Sequence, residues 1–148
     1  MTTEPVQGPN RIVVGIDGSE PSKAALRWAA RIAAATTSSI HVVIAWDQPV
    51  NYGWGVEIGN WRPDVDADLV MNETLEEVFN GNRPPGLEAL VLQGHAREVL
   101  LQASEGALML IVGSRGHGGF AGLLLGSVSA ACAEHAHRPV LVVHGATA

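Results

Sequence analysis

Apolar residues along the chain follow two alternating rhythms. Short apolar runs recur as the β-branched Ile12 to Ile16 in "RIVVGID", then "SIHVVIAW" (39–46), "LEALVLQ" (87–93), "ALMLIV" (107–112) and "VLVV" (140–143). Their length and composition match strands buried on both faces of a parallel sheet. Between them, apolar residues return at helical spacing. In "KAALRWAARIAAATT" the stripe is Ala25, Leu26, Ala29, Ile32 and Ala33, with Arg27 and Arg31 off it. Pro21 suits the first turn of that helix, where its missing N–H costs nothing. Val70, Met71, Thr74, Leu75, Val78 and Phe79 predict a second helix over roughly 66–80. A third, over "HAREVLLQAS", turns Val99, Leu100 and Ala103 inward. A fourth starts near Ser127 and sets Val128, Ala131, Cys132 and His135 on its inner stripe.

Each strand but the last is thus followed by a helix. Right-handed crossovers then require an open, doubly wound, five-stranded parallel sheet with helices on both faces, an α/β fold. Residues 1–10, with two prolines and no apolar pattern, predict a flexible arm. Residues 11–146 predict a single domain, interrupted by a long loop over 47–63 rich in Gly, Asn, Pro and Trp. Trp28 and Trp46 flank apolar segments and are expected to pack. A chain of 148 residues can bury about two thirds of its unfolded surface. With 47% apolar and 16% charged residues the composition is that of a globular core, not of a disordered chain.

The formal charge of −6 and the single lysine, Lys23, argue against a nucleic-acid partner, which needs a basic stripe. An anionic ligand must be held by local geometry against the overall field. No apolar run is long enough to span a membrane, and the opening "MTTEPVQGPN" lacks the basic start and apolar stretch of a secretory signal. Cys132 is the sole cysteine, so no internal disulfide forms and an inert core thiol is expected. A cytoplasmic location is expected.

Candidate chemistry concentrates in "VGSRGHGGFAGLLLGSVS", residues 112–129, which holds six glycines between a strand and a helix. Gly113, Gly116, Gly118 and Gly119 lack a Cβ, so a ligand can approach their N–H groups closely. Gly126 and Ser127 begin a helix whose first N–H groups are unpaired and whose dipole is positive there. Ser127 and Ser129 add hydroxyls, and Arg115 and His117 add cationic or donor groups. A helix start contributes about 0.3–1 kcal/mol toward an exposed anion. Converging N–H bonds to charged oxygens, about 1.5–3 kcal/mol each, would supply most of the affinity. The competing reading is that the glycines serve only a turn and close packing, although a turn alone needs one or two.

Named motifs narrow the choice. Gly113 and Gly118 have Walker A spacing, but Gly119 and Phe120 follow where Lys and Ser or Thr are required. "GHGGFA" fits a dinucleotide fingerprint in letters only, after the fourth strand and ahead of the helix start. "DVDADL" begins like a calcium loop yet has Leu69 and Leu75 where Gly and Glu are needed; its acids suit the positive end of the second helix. His135 and His137 are two apart and point differently, so a zinc pair is not expected. Asp17, at the rim where the first strand ends, can merely cap the turn "DGSEPS".

The spacing Gly113-Ser114-Arg115-Gly116, nine residues, then Gly126-Ser127 resembles the G-x2-G-x9-G-[ST] motif of ATP-binding universal stress proteins. "VGIDGSEPSKAALRWA", "HVVIAW" and "VSAACAEHAHRPVLVV" are also similar to that family, so the likeness covers nearly all of the chain except the arm and residues 47–65. The resemblance implies an adenine nucleotide alpha hydrolase-like fold that binds ATP with Mg²⁺. It implies Asp17 near the ribose and metal with Gly15 beside it, and the Ala45 backbone at the adenine edge. It also implies phosphates held by Gly113, Ser114, Arg115, Gly116, His117, Gly118 and Gly119 and by Gly126, Ser127, Val128 and Ser129. Beside the triphosphate so implied, Asp17 would be repelled unless it bridges through Mg²⁺ or bonds ribose hydroxyls.

Strand order 3-2-1-4-5 is expected, with the switch between strands one and four facing Asp17 toward the glycine loop. The last strand, Val140 to Val143, is then an apolar edge, and a homodimer through antiparallel last strands is expected. The rival readings are a slow ATPase or self-phosphorylating enzyme, turning over far below the median of about 10 s⁻¹, or the same fold holding AMP or cyclic AMP.

Overall fold

A computed structural model of the chain describes residues 10–48, 62–116 and 125–145. Residues 1–9 of the expected arm, residues 49–61 with Trp54 and Trp61, and His117, Gly118 and Gly119 lie outside the described residues. The elements alternate as β1 (Arg11–Gly15), α1 (Glu20–Thr36), β2 (Ser39–Trp46), α2 (Pro63–Phe79), β3 (Glu88–Gln93), α3 (Ala96–Ala103), β4 (Met109–Gly113), α4 (Ser127–His135) and β5 (Val140–Val143). The sheet order is β3-β2-β1-β4-β5, with all four pairings parallel, as the alternation requires.

Alternation along the strands divides the core between two faces. Ile12, Val14, Ile40, Val42, Ile44 and Ile111 pack with Leu26, Ala25 and Ala29 of α1 and with Ala67, Met71 and Leu75 of α2. Val13, Val43, Leu110 and Val112 pack on the other face with Val99 and Leu100 of α3 and Cys132 of α4. The alanines of α1 let that helix lie close over β1 and β4, where a bulkier stripe would stand off.

Three expectations need correction. α2 begins at Pro63 rather than near 66, because Pro63 fits the first turn and Asp64 and Asp66 meet its positive end. His135 is exposed; the buried side of the nine-residue α4 is only Ser129 and Cys132, and His135 falls in its last turn. Trp28 is also exposed, its ring covered by the Arg31 guanidinium at 4.9 Å rather than by the core. Trp46 is half-buried against the core as expected.

At the amino ends of the strands the polar groups are closed on one another. Arg11 donates to the Ala103 and Glu105 carbonyls at the end of α3, Arg138 donates to the Ala107 carbonyl, and His137 meets Glu105. Among the described residues, no helix is long and apolar enough to cross a membrane.

Candidate functional site

β1 and β4 are neighbours whose connections leave in opposite directions, toward β2 and toward β5. A crevice must open at their carboxyl ends. It is a cleft of about 170 Å³ lined by Gly15, Asp17 and Ser22 on one side and by Arg115, Gly116 and Ser127 to Ser129 on the other. Ala96 and Leu100 of α3 close it from a third direction.

On the β1 side the turn is built around Asp17. Its Oδ1 accepts the Ser19 N–H at 3.0 Å and the Ser19 hydroxyl at 2.5 Å. Ser19 in turn caps α1, its Oγ accepting the Ser22 N–H at 3.4 Å, while the Ser22 hydroxyl returns to the Ser19 carbonyl at 2.9 Å. Gly18 sits at φ 84°, a conformation glycine adopts without strain. Asp17 therefore does cap the "DGSEPS" turn, and this leaves its other carboxylate oxygen, Oδ2, facing the second side of the cleft. A Cβ built on Gly116 would overlap that oxygen.

On the β4 side several of the expected phosphate contacts turn out to build the stem of the loop. The Ser114 N–H donates to the Val143 carbonyl at 2.8 Å, and the Gly126 N–H donates to the Ser114 carbonyl at 2.7 Å. The buried Ser129 hydroxyl donates to the Ser114 and Gly126 carbonyls at 2.8 and 3.1 Å. Gly113 is a packing glycine, since a Cβ there would come within 2.7 Å of the Pro21 backbone. The donors that remain are those of the first turn of α4. Ser127, Val128 and Ser129 have no acceptor for their N–H groups inside the helix. The N-cap, Gly126, brings no side chain, and the first turn contains no acid. That end of α4 is a positive, hydrogen-bond-donating surface.

Other expected site residues sort by position. Gly15 forms the buried floor, where a Cβ would strike Leu100. Ser127 is exposed and Val128 half-buried at the cleft wall. Ala45 pairs with Leu92 on β3 and packs against the second core cluster, and it is not among the residues lining the cleft. Ser19, Ser22, Ala96 and Leu100 were not singled out from the sequence. The hydroxyls of "DGSEPS" at cap spacing signal the first two, whereas nothing local marks the α3 pair.

Among the described residues that line the cleft, the charged side chains are Asp17 and Arg115. Lys23 is held charged elsewhere, by Glu77 and Glu20 at 3.0 and 3.1 Å, which raise its pKa. Among the described residues, Asp17 is the one carboxylate lining the cleft, and no cluster of three His, Cys, Asp or Glu side chains occurs. Burial pushes the Cys132 thiol up to about 11, the inert form expected of a core cysteine.

A family model for the universal stress protein family matches residues 9–144. A universal stress protein of Mycobacterium tuberculosis is 32% identical over 139 residues, covering 90% of this chain and 47% of the relative. One from Mycolicibacterium smegmatis is 33% identical over 144 residues, covering 90% and 48%. The chain spans about half the length of these curated relatives. A solved universal stress protein in complex with cAMP is similar at a TM-score of 0.70 and 25% identity, over 93% of this chain and 98% of that one. A family protein from Arabidopsis thaliana with AMP bound is similar at a TM-score of 0.66 and 20% identity, over 94% of each chain. By the extent of the family match and of these relatives, the chain belongs to the universal stress protein family.

Proposed function

We propose that residues 11–146 form one nucleotide-binding unit that takes ATP with Mg²⁺ and serves as a signalling module rather than a fast catalyst. The observation that carries this reading is the start of α4. Three N–H groups without helical acceptors and a glycine N-cap, in a first turn that has no acid of its own, line a cleft at the switch between β1 and β4. A polyphosphate satisfies such a surface, and Arg115 adds a cation at its mouth. The cAMP carried by a relative of matching fold supports an adenine nucleotide as the class.

The donor set fits a magnesium ion that arrives with the nucleotide. Mg²⁺ is commonly held by one or two carboxylates plus substrate phosphates and water, and Asp17 supplies one carboxylate. When bound, the ion offsets the repulsion between Asp17 and the phosphates. If Asp17 bonds the ribose instead, affinity is independent of metal.

Calorimetric titration of the purified chain with ATP, AMP and cyclic AMP, each with and without Mg²⁺, tests the reading. Tightest binding of ATP, weakened by metal removal, is the expected result. Preference for AMP or cyclic AMP would replace ATP by the second reading, which the cAMP-bound relative favours. No binding of any of the three would overturn the proposal.

β5 is an edge strand with half-buried Val140, Leu141 and Val142 and buried Val143. An edge of this kind pairs readily with another chain, and we assign it to a homodimer through antiparallel last strands in a cytoplasmic protein. Light scattering at micromolar concentration is expected to give twice the chain mass; a monomer would contradict the dimer.

A further inference from the structure

Ser19 stands where the two sides of the cleft meet. It is buried and is not itself among the cleft-lining residues, so it acts through its neighbours. Its hydroxyl has one proton and two acceptors in reach, Asp17 Oδ1 at 2.5 Å and the Arg115 carbonyl at 3.5 Å. The nearer, anionic oxygen takes the proton, and Arg115 is left as the backbone against which the hydroxyl rests. With its N–H at 3.0 Å, Ser19 places two donors on a single oxygen of Asp17. The terminal torsion of an aspartate is otherwise broad. Two donors on Oδ1 set the plane of the carboxylate and so direct Oδ2 at Gly116, across the cleft, where the missing Cβ makes room for it.

We propose that Ser19 is a positioning residue for nucleotide binding, which orients the Asp17 carboxylate toward the ligand side of the cleft. This rests on the nucleotide-binding reading and adds the residue through which Asp17 works. Ser19 also caps α1, so the test must separate a cap from a positioning group.

MgATP titrations up to millimolar nucleotide, with thermal melts, on the wild type, Ser19→Ala, Asp17→Ala, the double variant and Ser19→Thr make that separation. Ser19→Ala is expected to weaken MgATP about tenfold in the wild-type background, the loss of a hydrogen bond to a charged group. In the Asp17→Ala background, with no carboxylate left to orient, the further loss is expected to be under about twofold. The cap contributes to stability in both backgrounds, so the melting temperature falls equally in each. Ser19→Thr, which keeps donor and cap, is expected to stay within about threefold of the wild type. An equal loss of affinity in both backgrounds, or Ser19→Ala binding like the wild type, would overturn the proposal while leaving nucleotide binding intact. A wild type that binds no MgATP would instead remove the reading beneath it.

Discussion

α1 and α4 both start at the carboxyl end of a central strand and both border the cleft, yet their first turns are finished differently. α1 is completed by its own sequence. Ser19 caps it, Pro21 removes a donor that would need a partner, and Glu20 meets the positive end of the dipole. α4 has a glycine cap, no acid and no proline in its first turn. One helix start is satisfied within the chain, whereas the other offers N–H groups to whatever enters the cleft. On the proposed function, the contrast assigns the anion to the α4 side of the crevice, something that two neighbouring strand ends alone do not decide.

The largest effect on this contrast is expected from Gly116→Val. Its Cβ would overlap the Asp17 carboxylate, closing the cleft between the two helix starts and weakening MgATP at least about a hundredfold, or about 2.7 kcal/mol. Because Gly116 is exposed, the melting temperature should move little; calorimetry and a thermal melt on the same sample check both. Next comes the anchoring of α4. Cys132, on its buried side, has its pKa pushed from the ordinary value of 9.0 to about 11 by burial. The unfolded thiol therefore ionises first. The contribution to stability is whole below pH 9 and is lost as pH rises toward 11, by about 2 kcal/mol at pH 10.5. Urea unfolding at pH 8 and 10.5 measures it, and the part of the fall owed to this thiol should vanish in Cys132→Ala.

Smaller effects sharpen the comparison. Ser127→Glu gives α4 the first-turn acid that α1 already has. Helix stability is expected to rise by about 0.3–1 kcal/mol, while MgATP weakens about tenfold as the new carboxylate meets the phosphates. A variant that binds as before would contradict the assignment of the anion to α4. The reciprocal change, Glu20→Gln, removes the acid from α1 and one partner of Lys23. It should cost less than about 1 kcal/mol and leave binding within about twofold, as melts and titration can establish.

The fold was legible because each strand carries a short apolar run and each long helix an apolar stripe. Crossover handedness makes the sheet parallel, and the order 3-2-1-4-5, expected once the family resemblance is in view, is the one observed. The start of α4 at Ser127 was also legible, from Gly126 and the hydroxyls behind it. What one dimension hides is the pairing of polar groups. The sequence marks Ser114, Gly126 and Ser129 as ligand contacts, but their bonds to one another and to Val143 are made across the fold. The contact of Ser19 with Arg115 spans 96 positions, and no local pattern signals it. His135 misleads because α4 buries too few positions for its stripe to reach the last turn. Trp28 misleads because a large apolar ring can be covered by an arginine instead of a core.

The central claim is that the first N–H groups of α4 hold phosphate, and amide NMR of the isotopically labelled chain tests it most directly. Adding MgATP should move the Ser127, Val128 and Ser129 amide signals strongly downfield, as hydrogen bonds to anionic oxygens do, while adenosine, which lacks phosphates, should leave them in place. Unmoved signals at these three positions under saturating MgATP, or equal movement with adenosine, would contradict the account.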